Sequence, residues 1–227
     1  MPVEERRFPS VEAAAQALAD DLAETMREAI AIRGCGLLAV SGGRTPRHVF
    51  RRLVDADVTW DCVTLTLTDD RWVPPGHPES NEGLVRTHLL QGPPASATLV
   101  PLFGGEASPE AGQAACERRL DTLVLPFDAV YLGMGPDGHF ASLFPGEPAV
   151  DVRDCRCIAI PGKGSRLPRM SLTAATLLAA RRLFLLFGGS EKGATYLEAM
   201  QPGSHHDIPL RMVLSQENVP VTVLRAP

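Results

Sequence analysis

The chain has 227 residues, of which 44% are hydrophobic, and it carries a formal net charge of −5 at pH 7. This length and apolar content are enough for one sizeable core, so we expect a single α/β domain over residues 1–227. The acidic balance argues against a nucleic-acid partner or an anionic membrane surface, whereas a small anionic ligand would need only a local cluster of cations.

Predicted helices and strands alternate along the chain. Ser10 is a suitable N-cap for a helix over 11–33 that ends at Gly34, and the wholly apolar run 36–40 predicts a buried strand. The other predicted helices lie over 47–53, 80–90, from 108 onwards, and over 172–180 and 191–200. The other predicted strands lie over 62–68, 127–133, 157–160, 183–187 and 220–224.

This alternation predicts a doubly wound, mostly parallel sheet flanked by helices, which is a Rossmann-like α/β fold. In such folds ligands bind beyond the carboxyl ends of the strands. The loops after the strands at 36–40, 62–68, 127–133 and 183–187 are therefore the places to look for chemistry.

The first of these loops reads SGGRTP. Gly42 and Gly43 allow backbone N–H groups to approach an anion, and the N-terminus of the following helix adds positive potential. Ser41, Arg44 and Thr45 can each donate a hydrogen bond, so the loop suits a phosphate. A plain strand-to-helix turn is the alternative, because short glycine motifs recur by chance.

The second loop begins with two carboxylates and a guanidinium at the end of a strand, Asp69, Asp70 and Arg71. Either acid can act as a general acid/base or can orient Arg71, whose planar fork suits a phosphate or a carbonyl oxygen. A solvated Asp–Arg pair is the alternative. His77 follows among prolines, and we expect it to be exposed.

The third loop reads LGMGPDGHFASLFPG, over 132–146. Histidine in general has an unperturbed pKa of about 6.5, which suits proton transfer near neutrality, and Asp137 can fix the tautomer of His139. Phe140 and Leu143 would exclude water. A lone histidine is more often structural, but this one follows a strand end between glycines, so we predict a general base.

The fourth loop, FGGSEKG over 187–193, again leads from a strand through two glycines into a helix, and it contains Lys192. Upstream, PRMSLT offers Arg169. A single Lys or Arg is normally solvated. Together with Arg44 and Arg71 at one edge of a sheet, however, these two cations would form a phosphate site.

Several site classes find no support in the sequence. P-loop, dinucleotide and nucleophile-elbow motifs are missing, and His205-His206 has no acidic or cysteine partner at metal-ligand spacing, so we expect no cofactor and no metal. Neither a secretory signal nor an apolar run of roughly 18 residues is present. The five cysteines are odd in number and lie mostly in apolar segments, which is typical of reduced thiols. We therefore expect a cytoplasmic monomer or weak homo-oligomer.

Taken together, SGGRTP, DDRWVP…SN, LGMGPDGHFASLFPG, PRMSLT and GGSEKG resemble the motifs of the 6-phosphogluconolactonase family, in that family's order and over about 37 to 195. The resemblance implies the fold shared with glucosamine-6-phosphate deaminase and hydrolysis of 6-phospho-D-glucono-1,5-lactone in the oxidative pentose phosphate pathway. It also implies that no cofactor is used, and it adds Asn81, at the end of the second motif, to the substrate-binding residues.

Two positions depart from the family pattern: Asp70 replaces a glutamate and Arg44 replaces a serine. Neither change removes a group that hydrolysis needs. A deaminase or isomerase of the same superfamily is the close alternative, but those enzymes have an acid five residues after the histidine, where this chain has Phe144. A non-catalytic sugar-phosphate sensor is a third reading, which would have no need of His139.

On the lactonase interpretation, the 42–45 loop, Arg169 and Lys192 hold the phosphate. Neutral His139 then takes a proton from the water that attacks the lactone carbonyl. Either backbone N–H groups of the glycine-rich loops or Arg71 would stabilise the oxyanion, and the sequence leaves both possibilities open.

Overall fold

The computed structural model describes residues 3–227, in which ten strands form two sheets. The strands are β1 (Val3–Arg7), β2 (Gly36–Val40), β3 (Val63–Leu67), β4 (Asp69–Arg71), β5 (Thr98–Val100), β6 (Ala129–Leu132), β7 (Cys157–Ile160), β8 (Arg169–Leu172), β9 (Leu183–Gly188) and β10 (Val221–Ala226). The helices are α1 (Val11–Arg33), α2 (Pro46–Leu53), α3 (Asn81–His88), α4 (Pro109–Leu120), α5 (Ala174–Leu178), α6 (Ser190–Ala199) and α7 (Arg211–Ser215).

The larger sheet has seven strands in the order β1-β10-β9-β6-β2-β3-β5, and every neighbouring pair is parallel. The predicted doubly wound fold is confirmed. From β2 the chain first builds outwards through β3 and β5, and then returns to place β6 on the other side of β2. The carboxyl ends of β2 and β6 therefore flank the point where the winding reverses, which is where such sheets bind ligands.

The smaller sheet consists of β4, β8 and β7, paired antiparallel. The sequence did not predict β4 or β8, because each is only three or four residues long and begins with charged residues rather than an alternating pattern. The predicted helix over 172–180 was wrong at its start. Leu172 belongs to β8, and α5 begins only after Thr173, whose side chain accepts a hydrogen bond from the Thr176 N–H.

Capping residues set the ends of the longer helices. The Ser10 side chain accepts a hydrogen bond from the Ala13 N–H at the start of α1, and Gly34 ends that helix with φ +76°. Ser80 and Ser108 cap α3 and α4 in the same way. The buried apolar side chains form one continuous cluster between the main sheet and its helices. Within residues 3–227, no helix is long and apolar enough to cross a membrane.

Candidate active site

One cavity of about 310 Å³ lies where β2, β3, β6 and β9 end. Of the twelve residues nominated from the sequence, eleven line it: Ser41, Gly42, Gly43, Arg44, Thr45, Asp69, Arg71, Asn81, His139, Arg169 and Lys192. The twelfth, Asp137, is hydrogen-bonded to His139. Parallel winding thus brings together segments that are up to about 150 residues apart in sequence.

The cavity wall is strongly cationic although the chain as a whole is acidic. Four cationic side chains, those of Arg44, Arg71, Arg169 and Lys192, face one carboxylate, that of Asp69. Burial and the charge of Arg44 lower the pKa of Lys192. This excess of positive charge favours an anion that carries more than one negative charge.

The SGGRTP loop packs closely against the start of α3. A Cβ atom at Gly42 would lie 1.9 Å from the side-chain oxygen of Asn81, so only glycine fits there. Gly43 has φ +110°, a conformation that side chains rarely adopt. Both glycines therefore have a structural reason to be present, and their backbone lines the cavity.

The structure separates the two acids of the second loop. Asp69 lines the cavity, where its Oδ2 accepts hydrogen bonds from Ser142 Oγ at 2.5 Å and from Arg169 Nη1 at 3.4 Å. Asp70 points away and accepts the backbone N–H groups of Asn81 and Glu82 at 2.6 and 3.0 Å. Burial raises the pKa of Asp70 to about 7. Asp70 thus anchors α3, and Asp69 is the acid available to a ligand.

Arg71 is held by the same helix start. Its Nη1 donates to Asn81 Oδ1 at 2.6 Å and to the Glu79 carbonyl at 3.3 Å. Among the described residues, the Nε atoms of Arg71 and Arg169 are buried without a hydrogen-bond partner. Both guanidinium groups line the cavity, so their N–H groups that face it are available to a ligand.

Asp137 holds His139 through two contacts. Its Nδ1 lies 2.5 Å from Asp137 Oδ1, and its backbone N–H donates to the same oxygen at 3.2 Å. Half-burial raises the pKa of Asp137, but the side-chain hydrogen bond, the charge and the backbone N–H of His139 together outweigh this effect, and the net pKa lies below its ordinary value. A Cβ atom at Gly135 would lie 2.1 Å from the imidazole Cε1, so the glycine leaves room for the ring.

Comparisons with known proteins agree with this geometry. The family model described as glucosamine-6-phosphate isomerases/6-phosphogluconolactonase matches residues 9–222. The chain belongs to this family. A 6-phosphogluconolactonase of Rhizobium meliloti (strain 1021) is 40% identical over 97% of both chains, and that of Pseudomonas aeruginosa is 37% identical over 92% of this chain and 89% of its own.

Solved structures of other proteins share the fold of this chain over nearly its whole length. A 6-phosphogluconolactonase from Shewanella baltica OS155 superposes with a TM-score of 0.96 and 34% identity, over 99% of this chain and 98% of its own. A monomeric glucosamine-6-phosphate deaminase superposes with a TM-score of 0.82 at 19% identity, over 99% and 97% of the two chains. The deaminase comparison supports the shared fold alone.

Phe144 lies five residues after His139, where the resemblance gives the deaminases an acid. Its ring is buried, and its centroid lies 4.5 Å from that of His139 at an angle of 44°. The Arg166 guanidinium lies over the same ring, 4.0 Å from its centroid, and Arg166 also pairs with Glu147 at 2.7 Å. The side chain at position 144 therefore faces His139.

Among the residues of this site that were not nominated from the sequence, three show why they were missed. Ser142 bridges Asp69 and Arg169, and its signal was a hydroxyl among apolar residues. Ala141 lines the cavity with φ +49°, which no sequence pattern reveals. Tyr131 also lines the cavity, and its buried hydroxyl has no partner within residues 3–227. Tyr131 resembled any other residue of a buried strand.

The structure also places three other histidines. His77 is exposed, as predicted. His205 and His206 have no acidic partner at metal-ligand spacing in the sequence, but the fold brings Asp151, more than 50 residues earlier, to both rings. Sequence spacing shows only local metal-ligand patterns, and this cluster is not local.

Proposed function

We propose that this protein hydrolyses 6-phospho-D-glucono-1,5-lactone to 6-phosphogluconate, with neutral His139 as the general base. The observation that carries the proposal is one cavity with four cationic side chains around a histidine–aspartate pair. The relatives named 6-phosphogluconolactonase support the choice of substrate. The proposed step uses only water and protein side chains, and it therefore needs no cofactor.

The phosphate is proposed to bind at the cationic wall. Backbone N–H groups of the Gly42–Gly43 turn and the side chains of Arg44 and Lys192 lie on one side of the cavity, with the start of α2 behind the turn. Helix N-termini and glycine turns are suited to phosphate oxygens. Ser41 and Thr45 supply further donors, and Arg169 binds from the smaller sheet.

The chemical step is a proton transfer coupled to water attack. With Nδ1 bonded to Asp137, the Nε2 atom of His139 takes a proton from water while the water oxygen bonds to C1. The tetrahedral intermediate then collapses, the bond from C1 to the ring oxygen breaks, and the imidazolium returns its proton to that oxygen. Asp137 keeps the reactive tautomer and stabilises the imidazolium.

Two groups in the cavity can stabilise the oxyanion, and they are the same two that the sequence analysis named. Arg71 lines the cavity and is fixed by its hydrogen bond to Asn81. The backbone N–H groups of the glycine-rich loops are the other donors at the cavity. Preorganised donors of either kind act strongly in a site that excludes water.

The setting of the enzyme is also part of the proposal. Cys116 and Cys157 are buried, Cys35 is exposed, and all five thiols are free. Unpaired thiols are typical of a reducing compartment, and the acidic net charge gives no reason to expect a nucleic-acid partner. We therefore propose a cytoplasmic enzyme that acts as a monomer or weak homo-oligomer.

The test is an assay of lactone opening, corrected for spontaneous hydrolysis, with glucosamine 6-phosphate as the competing substrate. The proposal predicts catalysed opening of the phosphorylated lactone and no release of ammonia from the amino sugar. An unphosphorylated gluconolactone serves as the control for the cationic wall and should be a much poorer substrate. Ammonia release without lactone opening would reverse the assignment.

A further inference from the structure

A second cluster of chemically active side chains lies outside the cavity. Asp151 ends a short 3-10 helix over Pro148–Asp151, and His205 and His206 lie in the segment between α6 and α7. His205 Nε2 lies 3.2 Å from Asp151 Oδ1, and His206 Nε2 lies 3.4 Å from Asp151 Oδ2. None of the three residues lines the catalytic cavity.

We propose that Asp151, His205 and His206 form a binding site for a divalent transition-metal ion, with Zn²⁺ as the reference ion. One ligand atom from each residue lies within 4.8 Å of the other two. Two imidazoles and one carboxylate form a ligand set typical of zinc, with the fourth position left to water. In a tetrahedral zinc site with bonds of about 2.0–2.1 Å, neighbouring ligand atoms are roughly 3.3 Å apart. Side chains whose ligand atoms already lie within 4.8 Å of one another reach that spacing by small side-chain rotations.

The local backbone holds the two histidines in place independently of their rings. The His206 N–H donates to Ser204 Oγ at 3.1 Å, and the His206 carbonyl accepts the Gly146 N–H at 2.8 Å. Arg211, which is buried, donates to the Ser204 carbonyl at 2.8 Å. The rings themselves stack with centroids 4.5 Å apart. A preorganised segment of this kind loses less entropy on binding an ion.

The charge of the cluster also suits a cation. Asp151 is an exposed aspartate, and such a carboxylate is ionised at neutral pH. Arg153 is the nearby competing cation, but its guanidinium is engaged with the carbonyls of Val150 and Val152. The carboxylate therefore faces the two imidazoles, and a metal can replace its hydrogen bond with His205 and its contact with His206.

The position of the site suggests what a bound metal would do. It would join the turn that follows the 132–146 loop to the segment at 204–210. That segment already contacts the loop, because Gly146 bonds to His206 and the Leu210 N–H donates to the Gly138 carbonyl. A metal here would thus stabilise the position of the 132–146 loop, which contains His139, without contacting the substrate. We expect metal binding to raise thermal stability, and we expect the metal-free protein to remain active.

Cobalt titration of the full chain tests the site directly, because Co²⁺ reports its ligands by visible absorption. We expect one Co²⁺ per chain, displaced by Zn²⁺ and without the intense near-ultraviolet band of a thiolate ligand. The variants His205→Ala and Asp151→Asn should each weaken binding at least about tenfold, whereas His77→Ala should leave it unchanged.

Thermal unfolding supplies the second measurement. Zn²⁺ should raise the Tm of the parent and of His77→Ala but not that of His205→Ala, while the metal-free Tm values stay alike because these side chains are partly exposed. Equal Co²⁺ affinity in parent and His205→Ala, or a thiolate band that disappears in Cys35→Ser, would overturn the proposal. Loss of lactone hydrolysis would bear on the proposed function and not on this site.

Discussion

Arg71 and Arg169 are direct partners across the antiparallel ladder between β4 and β8. Like charges opposite one another destabilise a sheet, and here both guanidinium groups also line the cavity and keep a buried Nε without a partner. Asp69 offsets part of this repulsion through its contact with Arg169 at 3.4 Å. A bound anion would offset the rest, which gives these two strands a functional reason for their charges.

The first prediction concerns Arg169→Gln. This change removes a charge-assisted hydrogen bond to the anion, and one such bond contributes about 1.5–3 kcal/mol. The inhibition constant of inorganic phosphate should therefore rise roughly ten- to a hundredfold. The free energy of unfolding should change less than for a typical buried arginine, since repulsion with Arg71 is relieved. Arg52→Gln, an exposed change on α2, is the control. Equal phosphate inhibition in both variants would remove Arg169 from the site.

The two lysines of the chain form a matched pair for the second prediction. Lys192 lines the cavity, whereas the Lys163 side chain is 79% exposed and lies near Glu147. Lys192→Ala should raise KM for the phosphorylated lactone roughly tenfold or more, with kcat little changed if the phosphate is bound equally in ground and transition states. Lys163→Ala should leave both constants at parent values. Steady-state kinetics measures both constants. A rise in KM in both variants would mean that positive charge acts on substrate binding at long range and that Lys192 does not contact the phosphate.

The third prediction uses Asp137→Asn to test how His139 is tuned. Removing the anion 2.5 Å from Nδ1 takes away a charge that stabilises the imidazolium. The acidic limb of the pH–rate profile should therefore move to lower pH, while the plateau value of kcat falls at least about tenfold because the tautomer is no longer fixed. If the plateau falls but the limb stays in place, Asp137 shapes the loop and does not tune the base.

A change of opposite sign is expected for Phe144→Glu, the fourth prediction. The new carboxylate would lie beside His139 and favour the imidazolium over the neutral base, so the acidic limb should move to higher pH and activity at pH 7 should drop. Arg166, which stacks on Phe144, would pair with the new acid and limit the shift. We expect no ammonia from glucosamine 6-phosphate, because deamination needs groups placed to within about 1 Å.

The control for that variant is Phe144→Gln, which has the same shape as glutamate and no charge. It should lose activity through altered packing, but with the acidic limb where the parent has it. Identical profiles for the two variants would mean that the charge at position 144 does not act on His139, and ammonia release by either would show that one residue separates the two chemistries.

Much of the main sheet could be read from the sequence, because its central strands have a simple physical signature. β2 is buried on both faces and reads as five apolar residues, and its predicted range of 36–40 is correct. The edge strand β1 was missed, since VEERR carries four charges and pairs only with β10. A strand is recognisable in the sequence when its buried side chains are apolar, and an edge strand has few buried side chains.

The site was predictable for a related reason. Parallel winding gathers the loops after the strands at one edge, so unusual residues in those loops could be assigned to one place. The sequence could not show in which direction each side chain points. It offered Asp69 and Asp70 as equivalent acids, and only the start of α3 shows that Asp70 caps a helix. In the same way, the pairing of Asp151 with His205 depends on tertiary contacts.

The central claim is that His139 is the general base, and the most direct measurement is kcat for lactone hydrolysis by His139→Ala, corrected for spontaneous opening. General-base catalysis contributes about 10²–10⁴-fold, so kcat should fall within that range, while affinity for 6-phosphogluconate, set by the cationic wall, should stay near that of the parent. His77→Ala, at an exposed histidine, should behave as the parent. A kcat for His139→Ala within about threefold of the parent would contradict the account, because general-base removal cannot be so mild.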